Sequence, residues 1–344
     1  MRYPLGLVFD SARHLLGRKL RGERKFAVAL SLDPMGGYAA DCGVSKSAGS
    51  AADQETLSVE QCLAAIEECH TPVVSICGGE PLEYPEIAAL TRAILDRGHH
   101  LFLCTDGRLI RQRLHMIPPF TNFFWNIKLD GTEAVHDGRA SRSGLFAEAL
   151  DGIKAAKNAG FFVVVTSTVY PDTEVDDLRA LYERLHGMHV DGYMLSPDYP
   201  AQKLCRDGSA KFHGKMHQRF REASERLGQY NLMTSPIYLE YLRGERELNC
   251  SVWGGPLYGP QGWSGPCRML TCRYATSYKA LLEETVWENY GRGLNPRCEN
   301  CQCQAGFETA AILGVNQKAG DFWKMLAWQL GGSLGEKREG KRKT

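Results

Sequence analysis

The sequence has almost no surplus of charge and no long apolar run. Among its 344 residues, 41 lysines and arginines nearly balance 40 aspartates and glutamates, which gives a formal net charge of +1. A general nucleic-acid binder would carry a basic surplus, so we expect no nucleic-acid partner. No stretch approaches the roughly 18 apolar residues of a membrane-spanning helix. The first residues also lack a signal peptide's apolar core and cleavage site, so we expect a cytoplasmic protein.

Cysteine, by contrast, is abundant. The chain has 12 cysteines, and half of them fall between residues 250 and 303. The cytoplasm keeps thiols reduced, so this number favours metal binding over disulfides. Cys298, Cys301 and Cys303 lie within six residues of each other and are the densest chemical signal in the sequence.

Strands and helices are expected to alternate along the first half of the chain. The apolar, alternating residues 27–33 predict a first strand, and a glycine-rich stretch over 35–50 follows it. Further strands are predicted at 73–77, 100–104, 123–129, 161–169 and 190–195, with helices at 57–70, 84–97, 144–158 and 174–186. This alternation is typical of a parallel sheet with crossover helices. Six such units predict an α/β fold, a (β/α)6 partial TIM barrel, over residues 26–200.

After Pro200 the alternation stops. Helices are predicted at 209–227 and 236–245, whereas 250–306 is rich in glycine, proline and tryptophan and is expected to consist of loops. We therefore expect a cysteine-rich, loop-rich C-terminal domain over 201–315, a basic N-terminal segment over 1–25 and a tail over 316–344.

Both ends of the chain carry apolar stripes next to basic residues. Residues 5–20 place most of their large apolar side chains on one helical face, and 320–330 contain Phe322, Trp323, Leu326 and Trp328 before a basic tail. Such stripes suit an anionic bilayer surface, so one interpretation is peripheral contact with the inner face of a membrane. The other interpretation is a helix that caps the barrel and a solvated tail.

The ends of the predicted strands carry the polar and thiol groups. Cys42 follows the first strand, the sequence CGGEP at 77–81 ends the second, and CTD at 104–106 ends the third. Lys128 and Asp130 follow at the fourth. Parallel barrels build their sites at this end of the sheet. Two glycines allow close backbone approach, and a glutamate can accept from an amine or a hydroxyl. Three histidines outside these strand ends, His70, His99 and His100, are expected to be solvated.

In these motifs the chain resembles radical S-adenosylmethionine (SAM) proteins, in particular the hopanoid-biosynthesis type called HpnH. The resemblance runs from about residue 15 to about residue 315. The matching segments include VVSICGGEPLEYPEI at 73–87, LCTDG at 103–107, GWSGPC at 262–267 and NPRCENC at 295–301.

The resemblance implies an activity and a set of partners. HpnH-type proteins join the 5′-deoxyadenosyl group of SAM to a hopene, so a hopanoid or other polycyclic lipid would be the substrate and a protein the reductant. It also implies that Gly78, Gly79, Glu80 and Pro81 bind SAM, with its amino group near the glycines and the glutamate. Cys104 matches a cysteine that is a candidate hydrogen donor to a substrate radical.

One loop departs from the family pattern. Radical SAM proteins hold a [4Fe-4S] cluster on a CxxxCxxC loop after the first strand. Aligned from Asp33 and Pro34, those three positions are Tyr38, Cys42 and Ser45 here. Iron–sulfur clusters depend on thiolate ligands, and this loop supplies one.

This departure leaves three functions open. The chain is a radical enzyme with an altered cluster site, a SAM-binding pseudoenzyme that partners an active paralogue, or a metalloprotein that uses its C-terminal cysteines. Neighbouring strand ends lie about 4.8 Å apart, so an altered site could combine Cys42 with Cys77 and Cys104. Otherwise Cys77 and Cys104 are small buried residues, as most cytosolic cysteines are.

The C-terminal cysteines predict a second metal site. A CxxC turn brings two sulfurs to one metal, and cysteines from distant loops can complete four ligands. The best four are Cys250, Cys267, Cys298 and Cys301, with Cys303 or Cys272 as replacements. We expect an auxiliary iron–sulfur cluster here. The alternatives are a structural zinc site and reduced thiols left from an eroded site.

Overall fold

A computed structural model describes residues 2–37, 56–198, 210–267, 270, 273–314 and 318–331. Within these ranges the helices are α1 (Leu5–Leu20), α2 (Val59–Cys69), α3 (Ile87–Asp96), α4 (Ile110–Arg113), α5 (Glu133–Ala140), α6 (Leu145–Asn158), α7 (Val175–Gly187), α8 (Ala210–Leu227), α9 (Pro236–Leu242), α10 (Tyr278–Glu283), α11 (Gln304–Leu313) and α12 (Asp321–Gln329). The strands are β1 (Ala29–Leu32), β2 (Val73–Ile76), β3 (His100–Thr105), β4 (Phe123–Lys128), β5 (Phe162–Val169), β6 (Gly192–Pro197), β7 (Leu257–Gly259), β8 (Gly262–Gly265) and β9 (Arg273–Ala275).

The strands form one sheet in the order β6-β5-β4-β3-β2-β1-β7-β8-β9. Strands β1 to β6 pair in parallel in sequence order, and β7 adds to β1, also in parallel. The predicted α/β class and the six parallel units are confirmed. The described strands leave the sheet open at β6 and β9, so it is a partial barrel.

The prediction of loops over 250–306 was wrong for part of that segment. Strands β7, β8 and β9 extend the sheet beyond β1, and the pairs β7–β8 and β8–β9 are antiparallel. They have only three or four residues each and are interrupted by glycine and proline. Alternation cannot be recognised over so few residues. The helix predicted at 236–245 also ends earlier, at Leu242.

Apolar side chains fill the interior of the barrel at the N-terminal ends of the strands. Phe102 and Phe124 stack with ring centroids 4.6 Å apart, and Val164 and Met233 pack with them. Leu7 of α1 belongs to the same buried cluster. Helix α1 therefore covers this end of the barrel, which confirms the capping interpretation for its buried face.

A polar contact fixes α1 in this position. Asp10 lies with Oδ2 2.9 Å from Nε2 of His100, the first residue of β3. His100 is only 5% exposed, so the prediction that it is solvated was wrong. The partner that buries it lies 90 residues earlier in the chain, where no local pattern could indicate it.

The two ends of the chain meet beside this helix. Arg2 donates from its backbone N–H to the Gln329 carbonyl, and Tyr3 packs edge-on against Trp328. Trp328 is therefore buried, although the sequence placed it on the apolar stripe of α12. In the described part of the chain, no helix is long and apolar enough to cross a membrane.

Helix α11 connects two distant parts of the C-terminal segment. Thr309 donates from its hydroxyl to the Ser251 carbonyl just before β7, at 2.9 Å. On another side, Glu308 accepts from the N–H of Ser235, the N-cap residue of α9, at 3.2 Å. The cysteine-rich segment joins the barrel through the pairing of β7 with β1, while its predicted boundaries at 200/201 and 315/316 stay predictions.

Candidate functional site

A turn of two glycines ends β2 and lies directly against the segment that follows β1. Gly78 and Gly79 both adopt left-handed backbone conformations, with φ of 90° and 60°. A Cβ on Gly78 would lie 2.1 Å from the Asp33 carboxylate, and a Cβ on Gly37 would lie 2.3 Å from the Gly79 nitrogen. Glycine is therefore required for this packing. The sequence predicted close approach by a ligand, whereas the structure shows close approach by the chain itself.

Glu80 ties the glycine turn to the end of β3. Its two carboxylate oxygens each lie 2.8 Å from the Thr105 hydroxyl, and they accept from the backbone N–H groups of Asp106 and Leu82 at 2.9 Å. Pro81 follows as the first residue of a short 3₁₀ turn, Pro81–Glu83. Burial, together with the charge of Asp106, raises the pKa of Glu80 to about 7. Glu80 therefore fixes the geometry of the turn from within.

Cys104 belongs to a row of polar side chains that crosses four strands. Its Sγ lies 3.2 Å from the Ser75 hydroxyl and accepts from the Asn126 amide at 3.4 Å. Thr166 donates to the Asn126 side-chain oxygen at 2.6 Å. Cys104 follows Phe102 by two residues on β3, so both side chains face the barrel interior. Burial raises the pKa of this thiol, which keeps its S–H in place at neutral pH.

The predicted three-thiolate site of Cys42, Cys77 and Cys104 stays a prediction. Cys77 is buried, with Sγ 3.5 Å from the Leu32 carbonyl and 3.7 Å from the Ser75 carbonyl. Cys42 lies outside the described residues, as do Tyr38 and Ser45.

A charged cluster lies at the ends of β4 and β5. Buried Asp130 accepts from the Tyr170 hydroxyl and from the Thr168 N–H, at 3.3 Å and 2.8 Å. Lys128 lies with Nζ 3.3 Å from the same carboxylate, and its side chain is 57% exposed. Burial lowers the pKa of Lys128, but Asp130 and Tyr170 outweigh that effect, so the pKa is raised. The carboxyl ends of the strands, where the glycine turn also lies, thus carry the exposed positive charge of Lys128.

The predicted metal-binding cysteines lie around one pocket outside the barrel. The five that are described all line it, together with Trp253, Trp287 and Phe307: Cys250, Cys267, Cys298, Cys301 and Cys303. Gly306 makes room for one of them, because a Cβ there would lie 2.4 Å from Cys250 Sγ. Cys272 lies outside the described residues.

Burial disfavours the thiolate form of two cysteines in this pocket. Burial raises the pKa of Cys250 and of Cys301 well above the ordinary value, and the neighbouring cysteines add to the effect. A metal would have to displace these protons. Within the described ranges, no three histidine, cysteine, aspartate or glutamate side chains are placed to hold one metal ion. The donor types suit iron or zinc, and the ligand set would have to close around the metal.

Family models match the chain in two successive segments. Residues 42–185 match the model of the radical SAM superfamily. The segment that holds the glycine turn thus matches the radical SAM superfamily. Its superfamily match begins at Cys42 and includes the glycine turn, Glu80 and Cys104. Residues 193–325 match a second model, described as a domain of unknown function (DUF3463), which covers the cysteine pocket.

Two kinds of curated relative are similar in sequence. The AdoMet-dependent heme synthase of Methanosarcina barkeri is 22% identical over 268 residues, which cover 72% of this chain and 77% of that protein. The GTP 3′,8-cyclase of Mycobacterium sp. (strain KMS) is 31% identical over 112 residues, about a third of each chain. The activities named for these two relatives differ from each other.

Solved structures share the fold. SuiB of Streptococcus suis, bound to precursor peptide SuiA, superimposes with a TM-score of 0.57 at 14% identity, covering 82% of this chain and 69% of that one. The native anSMEcpe with bound AdoMet gives a TM-score of 0.52 at 10% identity, covering 88% and 97%. At these identities the likeness establishes the fold.

Proposed function

We propose that this protein binds SAM at the carboxyl ends of β1, β2 and β3. The observation that carries the proposal is the Gly78–Gly79 turn, held on one side by the segment after β1 and on the other by the bonds of Glu80 to β3. The match of residues 42–185 to the radical SAM superfamily supports it, and structures of SuiB and anSMEcpe with this fold were solved with SAM bound.

In this proposal the four residues of the turn have different tasks. The backbones of Gly78 and Gly79 receive the amino group of SAM. Glu80 holds the turn, because Thr105, Asp106 and Leu82 already occupy both of its oxygens. Pro81 fixes the direction in which the chain leaves the turn.

The family's SAM-cleaving cluster does not fit the loop of this chain. Such a cluster supplies the electron that cleaves SAM, and it depends on cysteine thiolates. Here Tyr38 and Ser45 stand in two of the three ligand positions, with only Cys42 remaining. We therefore propose SAM binding without radical formation, as in a pseudoenzyme that partners an active paralogue.

A second candidate is the activity of HpnH-type proteins, transfer of the 5′-deoxyadenosyl group to a hopene. Cys104 favours it, because a protonated thiol held between Ser75 and Asn126 inside the barrel suits a hydrogen donor. Cys104 cannot serve as both a thiolate ligand and an S–H donor. A radical enzyme that uses Cys104 as donor therefore needs a ligand set from Cys42 and residues other than Cys104.

We also propose an iron–sulfur cluster or zinc in the cysteine pocket. Cys250, Cys267, Cys298 and Cys301 are the proposed ligands, with Cys303 as a replacement. Five thiols on one pocket wall, with a glycine making room, support this proposal. Iron, sulfide and zinc analysis tests it. Cys298→Ala should remove the bound metal, Cys42→Ala should not, and equal loss in both variants would contradict the assignment.

Calorimetric titration of SAM into metal-free protein tests the main proposal. We expect saturable binding that Glu80→Gln weakens and that the matched variant Glu83→Gln leaves unchanged, since Glu83 lies on the exposed side of the same turn. Absence of binding would overturn it. Anaerobic reconstitution followed by dithionite distinguishes the second candidate, because formation of 5′-deoxyadenosine would establish radical chemistry.

A further inference from the structure

Exposed apolar side chains are concentrated at the two ends of this chain. Of the eleven large apolar residues that are exposed in the described part, eight belong to α1, to α12 or to the residue that follows α12. The other three, Tyr274, Val286 and Leu294, lie in the cysteine-rich segment. A contiguous apolar surface on a folded protein marks an interaction site more often than chance exposure does.

The exposed stripe of α1 lies opposite its buried side. Leu5, Phe9, Leu16 and Leu20 are each at least 60% exposed and follow one line along the helix. Leu7 points the other way, into the barrel. The capping role of α1 therefore accounts for only one of its two apolar faces.

Helix α12 adds a second stripe at the end where α1 begins. Phe322, Trp323 and Leu330 are each more than 60% exposed. The two helices are joined by hydrogen bonds between Arg2 and Gln329 and between Gln329 and Tyr3. Leu5 and Leu330 each lie within two residues of these bonds, so the start of α1 and the end of α12 lie close together.

Net positive charge accompanies this surface, whereas the rest of the chain carries a net negative charge. Exposed Arg13 and Lys19 flank the α1 stripe on its two sides. Residues 1–25 carry seven lysines and arginines against two acidic residues, and 318–344 carry seven against three. Since the whole chain is only +1, the part between them is net acidic.

We propose that the stripes of α1 and α12 dock this protein on an anionic lipid bilayer. Apolar side chains would enter the interface, Phe9 and Trp323 would lie at the headgroup level, and the flanking cations would contact acidic lipids. The docked face is at the N-terminal end of the barrel. The polar strand ends therefore face away from the lipid. This inference does not depend on the proposed SAM binding.

Flotation with vesicles tests the proposal on the full chain. We expect binding to vesicles of phosphatidylcholine mixed with phosphatidylglycerol, and much weaker binding to phosphatidylcholine alone. Phe9→Ser with Trp323→Ser should lower the partition coefficient by about tenfold or more, because two large apolar side chains are removed. The control pair Val286→Ser with Leu294→Ser removes apolar side chains that are 58% and 60% exposed elsewhere, and it should bind as the wild type does.

Three outcomes would overturn the proposal. Equal loss in the two double variants would show that the α1 and α12 stripes are not special. Unchanged binding of Arg13→Ala with Lys19→Ala to the anionic vesicles would remove the role of charge. Sedimentation velocity tests whether a second copy of this chain covers the surface instead. If the wild type forms a dimer and does not bind vesicles, and if Phe9→Ser with Trp323→Ser makes it monomeric, the surface is an interface between copies of this chain.

Discussion

The two ends of the barrel interior are built from opposite chemistry. At the N-terminal ends of the strands, Phe102, Phe124 and Val164 pack with Leu7 into a cluster that excludes water. Two residues further along β3, Cys104 begins a hydrogen-bonded row. Since α1 covers the apolar end, the hydrogen-bonding side chains that a small polar ligand needs lie at the other end. The difference favours the carboxyl ends of the strands for the proposed recognition, as in other parallel barrels.

The closed end is the stabilising one, and truncation of its central ring should show this most clearly. Phe124 is fully buried, stacks on Phe102 and packs edge-on against Phe162. We expect Phe124→Ala to lower the free energy of unfolding by about 3–5 kcal/mol. Chemical denaturation measures it. Phe322→Ala, at an exposed position on α12, is the control and should change stability by about 0.5 kcal/mol or less. Equal costs would mean that this end is not a packed core.

At the polar end of the barrel, the contribution of Glu80 to stability should depend on pH. Burial, with the charge of Asp106, raises the pKa of Glu80 from its ordinary 4.5 to about 7. Folding therefore favours the protonated carboxyl. The protonated Glu80 carboxyl contributes fully to the free energy of unfolding below about pH 4.5, and this contribution is lost as the pH rises through about 7. At 1.36 kcal/mol per pKa unit, this loss is about 3 kcal/mol.

Glu80→Gln isolates that effect. As the pH rises from 4.5 to 7, the free energy of unfolding of the variant should fall less than that of the wild type. Chemical denaturation at a series of pH values measures both curves. Desolvation also raises the pKa of Glu308 to about 7, so part of the slope will remain. Glu83→Gln should follow the wild-type curve. A Glu80→Gln slope identical to the wild type would show that this carboxyl is not held as described.

Sequence reasoning succeeded where structure is local. Helix α1 begins and ends at the predicted residues 5 and 20, and the six parallel strands lie within two residues of their predicted limits. Repeating apolar patterns determine such elements. The same reasoning placed six cysteines in one cluster, and the five that are described line one pocket.

What the sequence could not show depends on contacts between distant residues. The ligand predicted at the Gly78–Gly79 turn stays a prediction, and the sequence did not show that Asp33 and Gly37 pack against this turn. Glu80 was expected to accept from an amine or a hydroxyl, and the hydroxyl of Thr105, 25 residues away, contacts its oxygens. A motif identifies which residues matter, whereas the register of neighbouring strands determines what each of them contacts.

The link between α1 and the barrel gives the smallest expected effect and joins the two ends of the comparison. Asp10→Ala leaves Nε2 of buried His100 without its acceptor, since the two atoms lie 2.9 Å apart. Asp10 itself is partly exposed, so solvent offsets some of the loss, and we expect destabilisation of about 1 kcal/mol. Chemical denaturation measures this loss. Asp151→Ala, which removes an exposed pair with Arg111, is the control and should cost less. Because α1 carries both the apolar cap and the exposed stripe, Asp10→Ala should also weaken vesicle binding slightly if the stripe acts as part of a fixed helix. Unchanged vesicle binding together with lower stability would instead mean that α1 binds lipid whether or not it is packed against the barrel.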